Sequence, residues 1–232
     1  MARNTAALSR RREWTLRVVC SVGEICVTLG IVALLFVAYK TWGQLGELQD
    51  AQAELDHALE QQWTGLVAPD PTVDQPAAAP GTTAPRDRVA TEGQPLVRLS
   101  IPRLGLRWVV TEGTTQQALR SGPGHYRGTQ MPGEIGNFAV AGHRIPGVFW
   151  DLDELAAGDV IEVEGPRARY TYQVTGTRIV GPNASAELAP LPGQTGAQPT
   201  ESRLVLTTCN PKWDNYQRLI VEAQLQSETP RG

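Results

Sequence analysis

The sequence predicts a mostly β domain, a closed or nearly closed barrel or sandwich, that follows a single membrane-spanning helix. Three observations support this prediction: an apolar run near the N-terminus, a stretch rich in proline and alanine, and short apolar runs separated by turn signals over the last ~130 residues. They divide the chain into five segments, which are residues 1–17, 18–39, 40–66, 67–95 and 96–228.

The membrane helix is predicted from Val18 to Tyr39, an apolar run of 22 residues with one charged side chain, Glu24. At ~1.5 Å per residue this helix is about 33 Å long, enough to cross a ~30 Å hydrocarbon core. Arginines precede the run and acidic residues follow Lys40, so the positive-inside rule places the N-terminus in the cytoplasm and the remainder outside. A cleaved signal peptide is the alternative, but its apolar region would be shorter. We therefore favour an uncleaved, single-pass anchor in the cell membrane.

Two segments separate the anchor from the β domain. Residues 40–66 have helical composition, and Leu45, Leu48, Ala51, Leu55 and Leu59 recur at helical spacing. We expect a partly helical juxtamembrane stalk there. Residues 67–95 are rich in proline, alanine and threonine, which predicts an extended or disordered linker that holds the β domain away from the membrane.

From Leu96 onward, the β domain is predicted from seven apolar runs. They read LVRLSI, LRWVV, NFAVAG, DVIEVEG, ARYTYQVTGTRIV, SRLVLTTC and QRLIVEAQL. Glycine, proline and aspartate punctuate them. Two short helical pieces are expected between strands, TTQQALRSG and VFWDLDELAAGD, the second with Phe149, Leu152 and Leu155 facing the core.

Composition narrows the classes of function. A net charge of −3 argues against a nucleic-acid binder, and three cysteines rule out a disulfide framework. Beyond the membrane segment there is one thiol, Cys209. Such a cysteine is a buried apolar residue, half of an intermolecular disulfide, or a nucleophile. Because Cys209 ends an alternating strand that runs into a polar loop, its side chain is placed where a substrate could reach it.

Three further residues could act with this thiol. Two sequential strands joined by NPKWDNY would pair antiparallel and bring Arg218 near Cys209, where a permanent cation favours a thiolate and neutralises a developing oxyanion. His143 closes another strand, GNFAVAGHR, and could protonate a leaving amine. His125, in GPGHY, is the competing histidine, and spacing alone does not choose between the two.

These motifs together resemble those of the sortase family. LTTC followed by Arg218 is similar to the T-L-x-T-C signature and downstream arginine of sortases, with Val205 at the position of the first threonine. GNFAVAGHR resembles their histidine segment, and TTC with GPGHY most resembles the class E sortases of actinobacteria. The resemblance covers residues 96–226 and implies a closed eight-stranded sortase-like β-barrel with short helices.

The resemblance also implies roles for individual residues, and the chemistry that it implies needs no cofactor or metal. Cys209 would be the nucleophile, His143 the general acid and base, and Arg218 the oxyanion stabiliser. The supporting residues would be Thr208, His125, Thr207 and Asn210. The DLDEL stretch at Asp151 is interpreted as a solvated helix face rather than a calcium site.

The implied reaction is transpeptidation. The enzyme would cleave an L-A-x-T-G or L-P-x-T-G sorting signal of a secreted protein between threonine and glycine, through a thioester. It would then transfer the protein to the amine of a peptidoglycan precursor similar to lipid II. Three alternatives stay open at this point: a pilin-polymerising sortase, a hydrolytic cysteine peptidase and a non-enzymatic wall-binding module. The first is disfavoured because residues 67–95 lack an evident aromatic lid motif.

Overall fold

The computed structural model of the chain describes residues 3–67, 90–194, 196 and 198–231. These residues form two compact units, one ending at Glu47 and the other beginning at Leu48. Most of the predicted linker, residues 68–89, lies outside the described residues, as do the first two residues of the predicted cytoplasmic segment.

A single α-helix, α1 (Arg3–Val67), contains both the predicted membrane helix and the predicted stalk. No proline interrupts these 65 residues, so nothing in the backbone chemistry forces a break. Within α1, residues Val19–Val37 are long and apolar enough to cross a membrane, and their side chains are exposed on the chain's own surface. Length and composition therefore agree with the predicted span.

The described residues from Pro95 onward form a closed barrel of eight strands in the spatial order β1-β2-β3-β4-β7-β8-β6-β5. The prediction of a closed, mostly β barrel is thereby confirmed. All seven predicted apolar runs are strands, and the eighth strand has only two residues. The strands are β1 (Pro95–Ile101), β2 (Leu106–Glu112), β3 (Gly124–His125), β4 (Gly136–Ala141), β5 (Val160–Glu164), β6 (Ala168–Val180), β7 (Ser202–Asn210) and β8 (Gln217–Pro230).

Most neighbouring strands pair antiparallel, but β2 with β3 and β4 with β7 pair in parallel. A parallel pair needs a long connection, and here β5 and β6 lie in the chain between β4 and β7. The central position of β7, between β4 and β8, decides where the functional residues meet.

Alternation along the strands separates an inner and an outer face of the barrel. The inner face forms one continuous core, to which all the strands except the two-residue β3 contribute, and it includes Leu99, Phe138, Val140, Leu204 and Leu206. Short 3₁₀ turns connect strands at Pro102–Leu104, Ala118–Ser121, Leu152–Glu154 and Ser185–Leu188. As predicted, Phe149, Leu152 and Leu155 are buried in the core.

The C-terminal part of α1, residues 48–67, packs on the barrel, and we call it the docked helix segment. Leu59 and Trp63 are buried against Val109 of β2, with Leu55 at the edge of this cluster. The side chain of Gln52 accepts a hydrogen bond from the Val109 amide at 2.6 Å. Leu48, Leu55 and Leu59 of the predicted apolar stripe therefore face the protein's own barrel.

A network of ion pairs also holds the docked helix segment on the barrel. Arg98 of β1 has 5% of its side chain exposed, and it pairs with Asp56, with Glu60 at 3.0 Å and with Glu164 of β5 at 2.8 Å. Burial lowers the pKa of Arg98, but the hydrogen bonds to the three carboxylates outweigh burial and raise it above its ordinary value. The guanidinium also lies over the ring of Trp63, at 5.3 Å from the ring centroid.

Candidate functional site

The pairing of β7 with β8 brings the thiol and the cation together. In this antiparallel ladder Cys209 is directly opposite Arg218. Directly paired residues have side chains on the same face of a sheet and Cβ atoms about 4.5–5.5 Å apart. The thiol of Cys209 is free and half-buried. The guanidinium of Arg218 donates to the carbonyls of Asn215 and Gln217, at 2.7 and 2.8 Å, which orients it at the end of the loop between the two strands.

The parallel pairing of β4 with β7 brings His143 to the other side of the thiol. Ala141 pairs with Thr207, and the Gly142 amide continues the ladder by donating to the Thr207 carbonyl at 3.0 Å. Extending this register by two residues sets His143 level with Cys209. His143 is half-buried, and its carbonyl accepts a hydrogen bond from the Phe149 amide at 3.2 Å, which closes the turn that holds it. The strand pairings therefore bring together His143, two residues after the end of β4, Cys209 on β7 and Arg218 on β8.

Arg218, opposite Cys209 in the ladder, also lines an outer-face groove. Ala139, Val205 and Ile220, on β4, β7 and β8, form an apolar cluster on the outer face. Next to it is a cavity of about 360 Å³. Its lining residues are Tyr126, Val180, Pro182, Asn183, Ala184, Ser185, Glu187, Leu188, Thr207, Arg218 and Ile220. A cavity of this size, with an apolar floor and a cation at one end, can hold several residues of an extended peptide.

One wall of this groove is residues 182–188, which follow β6, and partly buried ion pairs hold that wall in place. Arg178 of β6 pairs with Glu187 and, at 2.6 Å, with Glu222 of β8. Burial lowers the pKa of Arg178, but these hydrogen bonds outweigh it and raise the pKa. The side chain of Asn137 donates to the carbonyl of Glu187 at 3.0 Å. The groove is thus preformed by contacts within the barrel.

The predicted supporting residues of β7 have defined partners. Thr208 is buried, and its hydroxyl donates to the Gly142 carbonyl at 2.8 Å, so it connects β7 to the histidine-bearing turn. The hydroxyl of Thr207 lies 3.1 Å from that of Tyr126, inside the groove. The amide group of Asn210 donates to Gln217 at 3.0 Å and so joins the ends of β7 and β8.

The competing histidine, His125, lies on the inner side of the sheet. It pairs with Val140, a residue of the inner core, and its ring stacks on Phe138 at 5.3 Å between centroids. Its Nδ1 lies 2.9 Å from the Glu112 carboxylate, and its Nε2 lies 2.9 Å from the Thr129 hydroxyl. Both ring nitrogens are thus engaged with protein groups, on the opposite face of the sheet from Cys209.

Sequence reasoning did not identify Arg144 as part of the site. Its guanidinium is buried, and one nitrogen donates to the Cys209 carbonyl at 3.3 Å and to the Asn210 side chain at 2.8 Å. Its position directly after His143 was the available signal. An arginine next to a histidine has many surface explanations, so the signal was too weak to use.

Comparisons of the chain with known proteins all indicate the same protein family. The family model of the sortase domain matches residues 99–226, more than half of the chain. Sortase SrtE1 of Streptomyces coelicolor is 29% identical over 222 residues, which cover 91% of this chain and 58% of that protein. The chain therefore spans less than two thirds of the length of that relative.

Solved structures of sortases have the same fold. The SrtF sortase from Corynebacterium diphtheriae is similar with a TM-score of 0.60 and 31% identity, covering 65% of this chain and 94% of that one. Sortase E1 from Streptomyces coelicolor, crystallised with a tripeptide in the active site, is similar with a TM-score of 0.56 and 32% identity, covering 61% and 94%.

Proposed function

Because the chain belongs to the sortase family, as its resemblance to class E sortases predicted, we propose that it is a membrane-anchored cysteine transpeptidase. It cleaves the C-terminal sorting signal of secreted proteins between threonine and glycine and transfers them to an amine of the cell wall. The observation that supports this most is the strand order β4-β7-β8. In this order β7, which carries Cys209, lies between the end of β4 and the start of β8, and Arg218 lines the groove.

Acylation starts from the Cys209 thiolate, which attacks the threonine carbonyl of the signal and forms a carbon–sulfur bond. The carbonyl oxygen takes the displaced electron pair, and the fixed positive charge of Arg218 stabilises this oxyanion. As the intermediate collapses, the carbon–nitrogen bond breaks and His143, in its protonated form, gives its proton to the departing glycine amine. The products are a thioester on Cys209 and a free peptide that begins with glycine.

Deacylation reverses these roles. The acceptor amine attacks the thioester carbonyl, neutral His143 takes a proton from the attacking nitrogen, and the sulfur leaves as thiolate. His143 is protonated again and Cys209 is a thiolate, so the cycle closes without a metal or redox cofactor. The acceptor is the amine of a peptidoglycan precursor, by analogy with the family.

The sorting signal binds in extended form along the groove that Thr207, Ile220 and residues 182–188 line. Its threonine lies at the end where Arg218 lies. We expect alanine rather than proline at the second signal position, L-A-x-T-G, on the basis of the resemblance to class E sortases. Tyr126 and Thr207, whose hydroxyls contact each other in the groove, are the residues to substitute when this preference for alanine is tested.

The enzyme works outside the cytoplasmic membrane, anchored by Val19–Val37. Arginines before this span and acidic residues after it support a cytoplasmic N-terminus and an extracytoplasmic barrel.

The test uses the full chain in detergent micelles with fluorogenic peptides that contain L-A-x-T-G or L-P-x-T-G, with and without triglycine as the amine. We expect cleavage after threonine, a mass increase on Cys209 when the amine is absent, and a triglycine adduct when it is present. Cys209→Ala abolishes all three, and the matched variant Cys26→Ala keeps them. Products formed only with water would identify a hydrolytic peptidase, and full peptide turnover by Cys209→Ala would refute the proposal.

A further inference from the structure

Arg144 is the most deeply buried cation at the site and contacts the chain on both sides of the proposed nucleophile. Its side chain is 3% exposed. One terminal nitrogen donates to the backbone carbonyl of Cys209 at 3.3 Å and to the side-chain oxygen of Asn210 at 2.8 Å. The other pairs with Asp153 at 2.9 Å. One guanidinium therefore joins the turn that contains His143, the end of β7 and the 3₁₀ turn Leu152–Glu154.

The network around Arg144 extends to β8. Asn210, which accepts from Arg144, donates to Gln217, the residue before Arg218. Asp153, which pairs with Arg144, also pairs with Lys212 in the β7–β8 loop at 3.3 Å. Every segment that supplies one of the three proposed catalytic residues is therefore tied to the same cluster of contacts.

The chemistry of a buried guanidinium explains why Arg144 needs these partners. Removing a permanent charge from water is costly unless a countercharge and hydrogen bonds replace the solvent. Asp153 supplies the countercharge, and the Cys209 carbonyl and the Asn210 side chain supply acceptors. The planar fork of an arginine holds these partners in fixed relative directions, which a lysine ammonium cannot do.

We propose that Arg144 is a positioning residue: it fixes the separation and orientation of His143 relative to Cys209. Arg144 acts through the backbone of Cys209 and through the turn of His143, without contacting the substrate. The inference rests on the proposed transpeptidase function, because it concerns the geometry of that reaction.

The test measures kcat and KM of peptide cleavage for the full chain in micelles. For Arg144→Met we expect kcat to fall by about 100-fold, the scale on which a small displacement of a catalytic group acts, with KM within about threefold of the wild-type value. Arg144→Lys recovers part of kcat because the charge returns without the fork. Arg103→Met is the matched control, since Arg103 is half-exposed and pairs with Asp159 away from the site, and it keeps wild-type kinetics.

A second variant keeps the test decisive if Arg144→Met does not fold, which thermal melting and near-ultraviolet circular dichroism would reveal. Asp153→Asn removes the countercharge of Arg144 from a half-exposed position, while Lys212, its other partner, keeps its ion pair with Asp151, and it lowers kcat in the same sense but less. The proposal is overturned if kcat of the folded Arg144→Met protein stays within about threefold of wild type, if KM carries the loss, or if the lysine variant does no better than methionine. If Arg144→Met does not fold, an unchanged kcat in Asp153→Asn overturns it as well. Failure of the proposed function looks different, since the wild-type protein itself would then form no acyl-enzyme.

Discussion

Replacing Leu59 with alanine tests whether the docked helix segment belongs to the folded barrel. Leu59 is fully buried and packs with Trp63 against Val109 of β2. Truncation removes buried methyl groups and leaves a cavity, which costs about 2–5 kcal/mol for a leucine in a protein core. This cluster is small and lies at the barrel's outer face, where neighbours can partly close the gap. We therefore take the lower end, about 2–3 kcal/mol.

The assay is thermal unfolding of the full chain in detergent, followed by tryptophan fluorescence. For a unit of 150–250 residues each kcal/mol lowers Tm by about 2–4 °C, so Leu59→Ala should lower Tm by about 4–12 °C. The control is Gln61→Ala, an exposed position on the same helix, which should leave Tm within about 2 °C of the wild-type value. The expected loss requires that the helix and the barrel unfold together.

An unchanged Tm for Leu59→Ala, combined with unchanged protease resistance of residues 48–67, would refute this reasoning. It would mean that the docked helix segment contributes nothing to the stability of the barrel. A lower Tm in both variants would point to helix propensity rather than burial.

Two further predictions concern pH and the histidine-bearing turn. The hydrogen bond from Arg98 lowers the pKa of Glu60 below its ordinary value of 4.5, so the ionised form stabilises docking above that pH and the benefit is lost as pH falls through the lowered value. Tm should therefore fall more steeply on acidification in the wild type than in Glu60→Gln, and equal slopes would contradict this. In Gly142→Ala the new methyl group would overlap the buried ring of Phe149, and overpacking of this kind costs about 1–3 kcal/mol. Because the next residue is His143, we expect both a lower Tm and a lower kcat for peptide cleavage. A wild-type kcat in this variant would show that the turn can shift without affecting cleavage.

The strands of the barrel were accessible from sequence because each depends on a local pattern. The strand that ends in Cys209 was predicted to alternate, and the structure accordingly puts Leu204 and Leu206 in the inner core and Val205 in the outer cluster. The short connection between β7 and β8 also made the pairing of Cys209 with Arg218 predictable. The two-residue strand β3 escaped because two residues are too few to show a period.

What the sequence could not show depends on partners distant in the chain. The apolar stripe of the stalk was visible in the sequence. Its partners Val109 and Arg98 lie beyond the linker, and the residues around them do not indicate that a helix packs there. The choice between His143 and His125 was also open, since both end short runs. Pairing across strands separates them, because His125 is opposite inner Val140 whereas His143 extends the ladder that Ala141 forms with Thr207.

The parallel pairing of β4 with β7 has a consequence for when the thiol can react. Cys209 and Arg218 are joined by a short loop and can meet early, but the Thr208 hydroxyl and the Gly142 carbonyl, which fasten the histidine turn to β7, are 66 residues apart. Contacts of such separation form late, because the loop they close is long. In a newly made chain Cys209 is therefore present before His143 is held beside it. The arrangement that the proposed acyl transfer requires is completed only when the barrel closes.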